Sequence, residues 1–202
     1  MPARRILIVY GTSYGQTAKV ARFIADLLTS SGDEVMLANA AELTRNVELP
    51  RNLSPRDFHG VVVGSSVIVG RHQRSVAAFV RAHRDALDAT PSAFFSVSGS
   101  AASHDEEGRA DARRMVDEFV RETGWRPGLT ETVAGAMAFT KYNPLIRFVL
   151  RRISAKAGGP TDTSRDHELT DWDQVRRFAA TFAAAVPPAR VAPSPPPPLV
   201  PT

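Results

Sequence analysis

The chain has 202 residues, 43% hydrophobic and 23% charged, enough for one domain with a sizeable core. It has no cysteine, which excludes a disulfide framework, a thiolate metal site and a cysteine nucleophile, and its five histidines lie too far apart for a short metal motif. The net charge of +4 is mild and names no partner by itself; nothing in the pattern points to nucleic acid.

Ile6 to Tyr10 is a short, unbroken apolar run and reads as a buried parallel strand. It is too short for a signal peptide, and no apolar run approaches the ~18 residues of a membrane span, so a cytoplasmic protein is the default expectation. Val20, Ala21, Ile24, Leu27 and Leu28 recur at helical spacing over 16–30, and Gly32 is the expected stop. Glu34 to Ala38 is a second strand, 41–56 is irregular, and Gly60 to Gly64 is a third strand. Val76, Phe79, Val80, His83 and Leu87 mark a helix, and Ala93 to Val97 a fourth strand. Ala112, Met115, Val116, Phe119 and Val120 mark another helix, with Asp105, Glu106 and Glu107 placed to favour its N-terminal dipole. Thr132 to Phe139 is a fifth strand, broken at Gly135. Trp172, Val175, Phe178, Ala179 and Phe182 mark the last helix, with Asp171 and Gln174 at capping-box spacing. Trp125 and Trp172 read as packing residues, and His59, His83, His104 and His167 as structural or exposed ones.

This alternation implies a doubly wound α/β fold, a five-stranded parallel sheet with helices on both faces. The expected domain is 1–186, with an insert over 140–168. Residues 187–202 contain eight prolines and should form a disordered tail.

Ligands of an open parallel sheet bind beyond the carboxyl ends of its strands. The stretch Thr12-Ser13-Tyr14-Gly15-Gln16-Thr17 lies there, between the first strand and the first helix. A helix N-terminus offers unpaired N–H groups and partial positive charge, three hydroxyls add donors, and a glycine lets the backbone come close. A single helix cap needs one hydroxyl, not three. The loop holds no lysine or arginine, and neither G-x-x-x-x-G-K-[ST] nor G-x-G-x-x-G occurs. That pattern suits one phosphate held by neutral donors.

The loop resembles the flavodoxin phosphate loop, T-x-[ST]-x-[GT]-x-T, with Tyr14 where a small hydroxyl is usual. Further on, PSAFFSVS (91–98), WRP (125–127), VAGAMAF (133–139) and GGPTDTSRDHELTDWDQV (158–175) resemble the flavodoxin-type, quinone-dependent protoporphyrinogen oxidase family. The T-D-T block followed by T-D-W is the most specific mark, and the likeness spans about 5–182. It implies a flavodoxin-like fold and FMN between three loops, with the phosphate on Thr12 to Thr17. The ring would lie between the loop after strand three (Ser65, Ser66, Val67, Ile68, Val69, Gly70) and the loop after strand four (Ser96, Val97, Ser98, Gly99, Ser100, Ala101). It also implies oxidation of protoporphyrinogen IX, in haem biosynthesis, with a menaquinone-like acceptor. Ile68 and Val69 stand where the family often carries an Arg-Tyr pair, so a ring-stacking aromatic is missing. Arg71 and His72 follow as candidates to contact substrate or flavin N5, and no catalytic base is identified.

No acidic residue lies between Glu131 and Asp162, while Lys141, Arg147, Arg151, Arg152 and Lys156 are basic. If helical, 141–157 carries one stripe of Leu145, Ile146, Val149, Leu150 and Ile153 and a basic face. Such a helix suits an anionic membrane surface at the inner face of the cell membrane, or packs on the domain with its arginines solvated. Arg147, Arg151 and Arg152 could equally receive porphyrinogen propionates. A flavodoxin-like electron carrier, an NAD(P)H:quinone reductase and a flavin-free binding module remain as alternatives; the basic charge argues against a carrier.

Overall fold

A computed structural model describes residues 3–43, 54–103, 105–137, 139–141, 147, 148, 151, 152, 155 and 162–189. The proline-rich stretch beyond 189 and the whole of the insert's apolar stripe lie outside them. Strand β1 (Arg5–Gly11) leads into helix α1 (Gln16–Ser30) and strand β2 (Glu34–Asn39). A single helical turn, α2 (Ala40–Leu43), and a 3-10 turn (Pro55–Asp57) fill the described part of the expected irregular stretch. Strand β3 (Gly60–Ile68), the short β4 (Arg71–His72), helix α3 (Arg74–Asp88) and strand β5 (Ser92–Ser98) follow. Helix α4 (Glu106–Thr123), strands β6 (Leu129–Ala134), β7 (Ala136–Met137) and β8 (His167–Glu168), and helix α5 (Trp172–Ala185) complete the order.

The main sheet runs β2-β1-β3-β5-β6, every neighbouring pair parallel, with β4 attached antiparallel to the end of β3. Side chains alternate between its faces as a pleated strand requires. Ile6, Ile8, Val62 and Phe95 pack with α1 and α5 on one face. Leu7, Val9, Val63 and Phe94 pack with α3 and α4 on the other. The doubly wound α/β expectation holds. In register, Gly11, Ser65, Ser96 and Thr132 stand side by side along the carboxyl edge.

Three expectations change. The third strand continues past Gly64 to Ile68 and turns back into β4, so the loop expected over 65–72 is a β-hairpin. The fifth strand spans Leu129–Ala134 and ends at Gly135, whose N–H bonds the Ser98 carbonyl. Residues 136–137 then leave the main sheet and pair with His167–Glu168. In the insert, the described residues 147, 148, 151, 152 and 155 are helical.

The end signals act locally as expected. Gly32 has φ +94°, and Asp33 N–H bonds the Leu28 carbonyl to close α1. Asp105 accepts from Gly108 N–H at the start of α4, with Glu106 and Glu107 in its first turn. Asp171 accepts from the Asp173 and Gln174 N–H groups. The side chain of Gln174 donates instead to Glu131 and the Thr132 carbonyl, tying α5 to β6. Trp125 is fully buried with its indole N–H on Ser92, and Trp172 packs at a tilt against Phe23.

Candidate cofactor site

The first strand ends at Gly11 because nothing larger fits: a Cβ there would lie 2.5 Å from a Val76 methyl. The chain then reaches Gly15, the residue before α1, with φ +98°, a left-handed conformation that a side chain disfavours. Its side-chain cap is absent, so the hydroxyls of the loop are not spent on capping. Thr12 Oγ1 accepts from Gly15 N–H at 3.0 Å and folds the loop back on itself. Thr17 Oγ1 sits in the first turn of α1, 1% exposed at its residue, with no partner among the described residues. A buried hydroxyl without a partner costs about 1–3 kcal/mol, and it lies beside unpaired helix N–H groups. This is a fit for an anionic oxygen.

The T-D-W block buttresses this loop. Gln16 donates to Thr170 Oγ1 at 2.8 Å, and Thr170 donates to the Ala134 carbonyl at 2.7 Å. Lys19 bonds Glu168 at 2.8 Å, and Trp172 donates to the same carboxylate. The Lys19 ammonium holds the Glu168 carboxyl below its ordinary range. The Gln16 side chain therefore fixes the helix start from behind, and Gln16 could reach a cofactor only through its backbone.

The hairpin is built differently. Ser65 is fully buried, donates to the Ser66 carbonyl and accepts from Gln73 N–H. Gln73, absent from the sequence-based site, donates through Nε2 to Ser13 Oγ at 2.6 Å and Ser66 Oγ at 2.8 Å. It links the phosphate-type loop to the hairpin, and no local pattern marks it. Val67 is half-buried, while Ile68, Val69 and Gly70 form the exposed tip. Arg71 is exposed. His72 packs against the mutually stacked rings of Phe94 and Phe119, and its Nε2 lies 2.9 Å from Ser96 Oγ. Burial lowers its pKa to about 4, so the imidazole is neutral at pH 7. Such a group is a poor proton acceptor, and its placement is that of a packing residue.

Beyond β5 the expected residues divide. Ser96 and Val97 are inside the sheet, Val97 within the core facing α1 and α5. Ser98 Oγ accepts from Ala101 N–H at 3.2 Å and shapes the turn. Gly99, Ser100 and Ala101 alone come to the surface, at a 3-10 turn over Ser100–Ala102. Arg151 and Arg152 of the insert are exposed, Arg152 lies over the Phe148 ring at 5.7 Å, and Arg147 is half-buried. Three surface segments thus meet the carboxyl edge: 12–17, 68–71 and 99–101.

A flavodoxin domain matches residues 7–164. An Escherichia coli K12 protein named protoporphyrinogen IX dehydrogenase [quinone] is 31% identical over 179 residues, covering 89% of this chain and 94% of its own. The chain belongs to this family of flavodoxin-like oxidoreductases. A member from Leishmania major with the same name is 31% identical over 191 residues, covering 91% of this chain and 78% of its own. A short-chain flavodoxin associated with a bacterial microcompartment shares the fold at TM-score 0.51 and 14% identity, over 91% of this chain and 96% of its own. The family membership agrees with the resemblance carried by the T-D-T and T-D-W blocks.

Proposed function

We propose that this enzyme binds FMN and oxidises protoporphyrinogen IX to protoporphyrin IX, with a quinone of the menaquinone type as acceptor, in haem biosynthesis. Family membership supports the reaction, and the buried, unpartnered Thr17 hydroxyl at the start of α1 carries the cofactor reading. The phosphate is held by Thr12, Ser13, Thr17 and the first N–H groups of α1, with Gly15 providing the left-handed turn. Among the described residues no second loop of this kind is present for another phosphate, which favours FMN over a dinucleotide. Bound flavin supplies an acceptor for two electrons at a time, and the porphyrinogen needs three such oxidations. The surface residues Ile68, Val69, Gly70, Gly99, Ser100 and Ala101 border the ring from two sides. The inward-facing Ser65, Ser66, Ser96 and Val97 keep those borders in place.

Among the described residues no helix is long and apolar enough to cross a membrane. We place the enzyme in the cytoplasm with its basic insert against the anionic inner membrane face, where a lipid-soluble quinone resides. Stopped-flow spectroscopy under argon tests the whole reading. Protoporphyrinogen IX should bleach the flavin, and menaquinone in anionic vesicles should restore it, more slowly for Arg147→Gln/Arg151→Gln/Arg152→Gln. Bleaching by NADPH with none by porphyrinogen would replace this reading by the NAD(P)H:quinone reductase. Bleaching by neither, with oxidation and reduction by a partner protein, would favour a carrier.

A further inference from the structure

A cleft of about 800 Å³ opens between α3 and α4, under the β3–β4 hairpin. That is the size of a small-molecule site. It shares Ser13 and the hairpin residues Ile68, Gly70 and Arg71 with the three-segment site, and nothing from 96–102 lines it, so it adjoins that site on its α3–α4 side. Its wall is apolar where Ile68, Ala77, Met115 and Phe119 meet. Of its charged residues, Arg81 is committed to Glu122, through an ion pair at 4.0 Å and a bond to the Glu122 carbonyl. Arg71 and Arg74 are exposed and have no ion pair or hydrogen bond among the described residues. Glu118 is half-buried on the α4 side and is likewise unpaired among them. Neutral His72 adds no charge.

We propose that this cleft binds a pyrrolic dicarboxylate, its carboxylates on Arg71 and Arg74 and its pyrrole N–H groups toward Glu118. The proposal rests on the porphyrinogen reading and assigns that substrate a place. A guanidinium meets a carboxylate in a two-pronged hydrogen-bonded pair and keeps its charge at every physiological pH. A pyrrole N–H is a donor only, so it needs an acceptor, and Glu118 is the carboxylate of the cleft left free to serve. The methyl and vinyl edge of such a ring is apolar and matches the wall of Ala77, Met115 and Phe119. Two cations, one acceptor and an apolar wall are the complement of the molecule's own three kinds of surface. The carboxylates are then held by the hairpin and α3, not by the insert.

The test uses the FMN-loaded full chain. Protoporphyrin IX and its dimethyl ester are titrated by fluorescence in the same detergent, and flavin reduction by protoporphyrinogen IX is followed under argon. Wild type should prefer the diacid over the ester at least tenfold. Arg71→Gln/Arg74→Gln should bind both equally weakly, keep its flavin, and raise the porphyrinogen concentration for half-maximal reduction with the maximal rate within twofold. Glu118→Gln should weaken diacid and ester alike, since both retain their N–H groups. Diacid binding within twofold of wild type in Arg71→Gln/Arg74→Gln, in an enzyme that porphyrinogen still reduces, would overturn the cleft and spare the reaction. Loss of the diacid preference in Arg147→Gln/Arg151→Gln/Arg152→Gln instead would move the carboxylates to the insert. A wild-type enzyme that binds neither porphyrin and is not reduced would sink both.

Discussion

The start of α1 and the β3–β4 hairpin flank the same carboxyl edge, yet they differ at one buried polar atom. Along the hairpin, Ser65, Ser66, Gln73 and His72 all have protein partners. At the start of α1, Thr17 keeps a buried hydroxyl with none among the described residues. Burial without a partner is tolerated in a native fold where something outside the chain provides one. On the proposed reading the hairpin is a wall and the start of α1 a binding loop, though the resemblance implies cofactor contact for both.

The largest expected effect tests the loop. Thr12→Val/Thr17→Val should lower FMN affinity by about 1.5–3 kcal/mol for each hydrogen bond lost to a charged oxygen. Thr17→Val alone should have effects of opposite sign on two measurements. The flavin-free protein should unfold at higher urea, by about 1–3 kcal/mol, because a buried unpaired hydroxyl is gone. FMN binding, read by flavin fluorescence, should weaken. Gain in stability with unchanged FMN affinity would make Thr17 an ordinary packing defect and erase the contrast with the hairpin.

The two regions also differ in how far they were legible. The loop announces itself because its geometry is local: a strand end, a left-handed glycine and a helix start lie within seven residues. The five parallel strands follow from apolar runs alternating with amphipathic helices, whereas the sheet order depends on pairings that the alternation does not specify. The hairpin was hidden because Ser65 to Ile68 are small or β-branched residues, fit for strand or loop. The turn back to β4 depends on pairing with Arg71 and His72, which no spacing reveals. The fifth strand was misplaced at both ends because Leu129 to Glu131 alternates weakly, while Ala136-Met137 stays apolar after leaving the sheet. Gln73 and Thr170 were overlooked as supports, since their roles rest on partners 60 and 154 residues away.

His72 provides the next largest effect and tests the hairpin as a wall. Its folded pKa is about 4, below the ordinary 6.5, so the unfolded chain binds its proton more readily. Stability is therefore fully present above pH 6.5 and declines as pH falls toward 4, by about 3 kcal/mol at most. His83, half-buried against Phe79 and also lowered by burial, contributes in the same direction. His72→Gln can keep a hydrogen bond to Ser96 and cannot ionise. Urea unfolding at pH 7 and pH 4.5 should show a smaller acid loss in this variant than in wild type. Parallel losses would remove His72 from the buried wall and restore it as a group open to ligand.

The smallest effect lies at the tip, where the two behaviours meet. Ile68 pairs with Arg71, leaving Val69 and Gly70 as a two-residue turn with φ +49° and +71°. Turns of this hand favour asparagine followed by glycine, and a β-branched residue with positive φ is strained by about 1–2 kcal/mol. Val69 is also 96% exposed, so its methyl groups gain nothing from the protein's own core. Strain at a position without internal benefit points to a contact made with something bound, as for the Thr17 hydroxyl. Val69→Asn should therefore raise the stability of the flavin-free protein by about 1 kcal/mol in urea unfolding, and weaken FMN binding in the same preparation. The signs match those for Thr17→Val, with a smaller amplitude, because an apolar edge contact replaces a charged hydrogen bond. A stabilised Val69→Asn that binds FMN as tightly as wild type would leave the tip outside the cofactor site and confine the cofactor's protein contacts to the loop of α1 and the turn at Gly99.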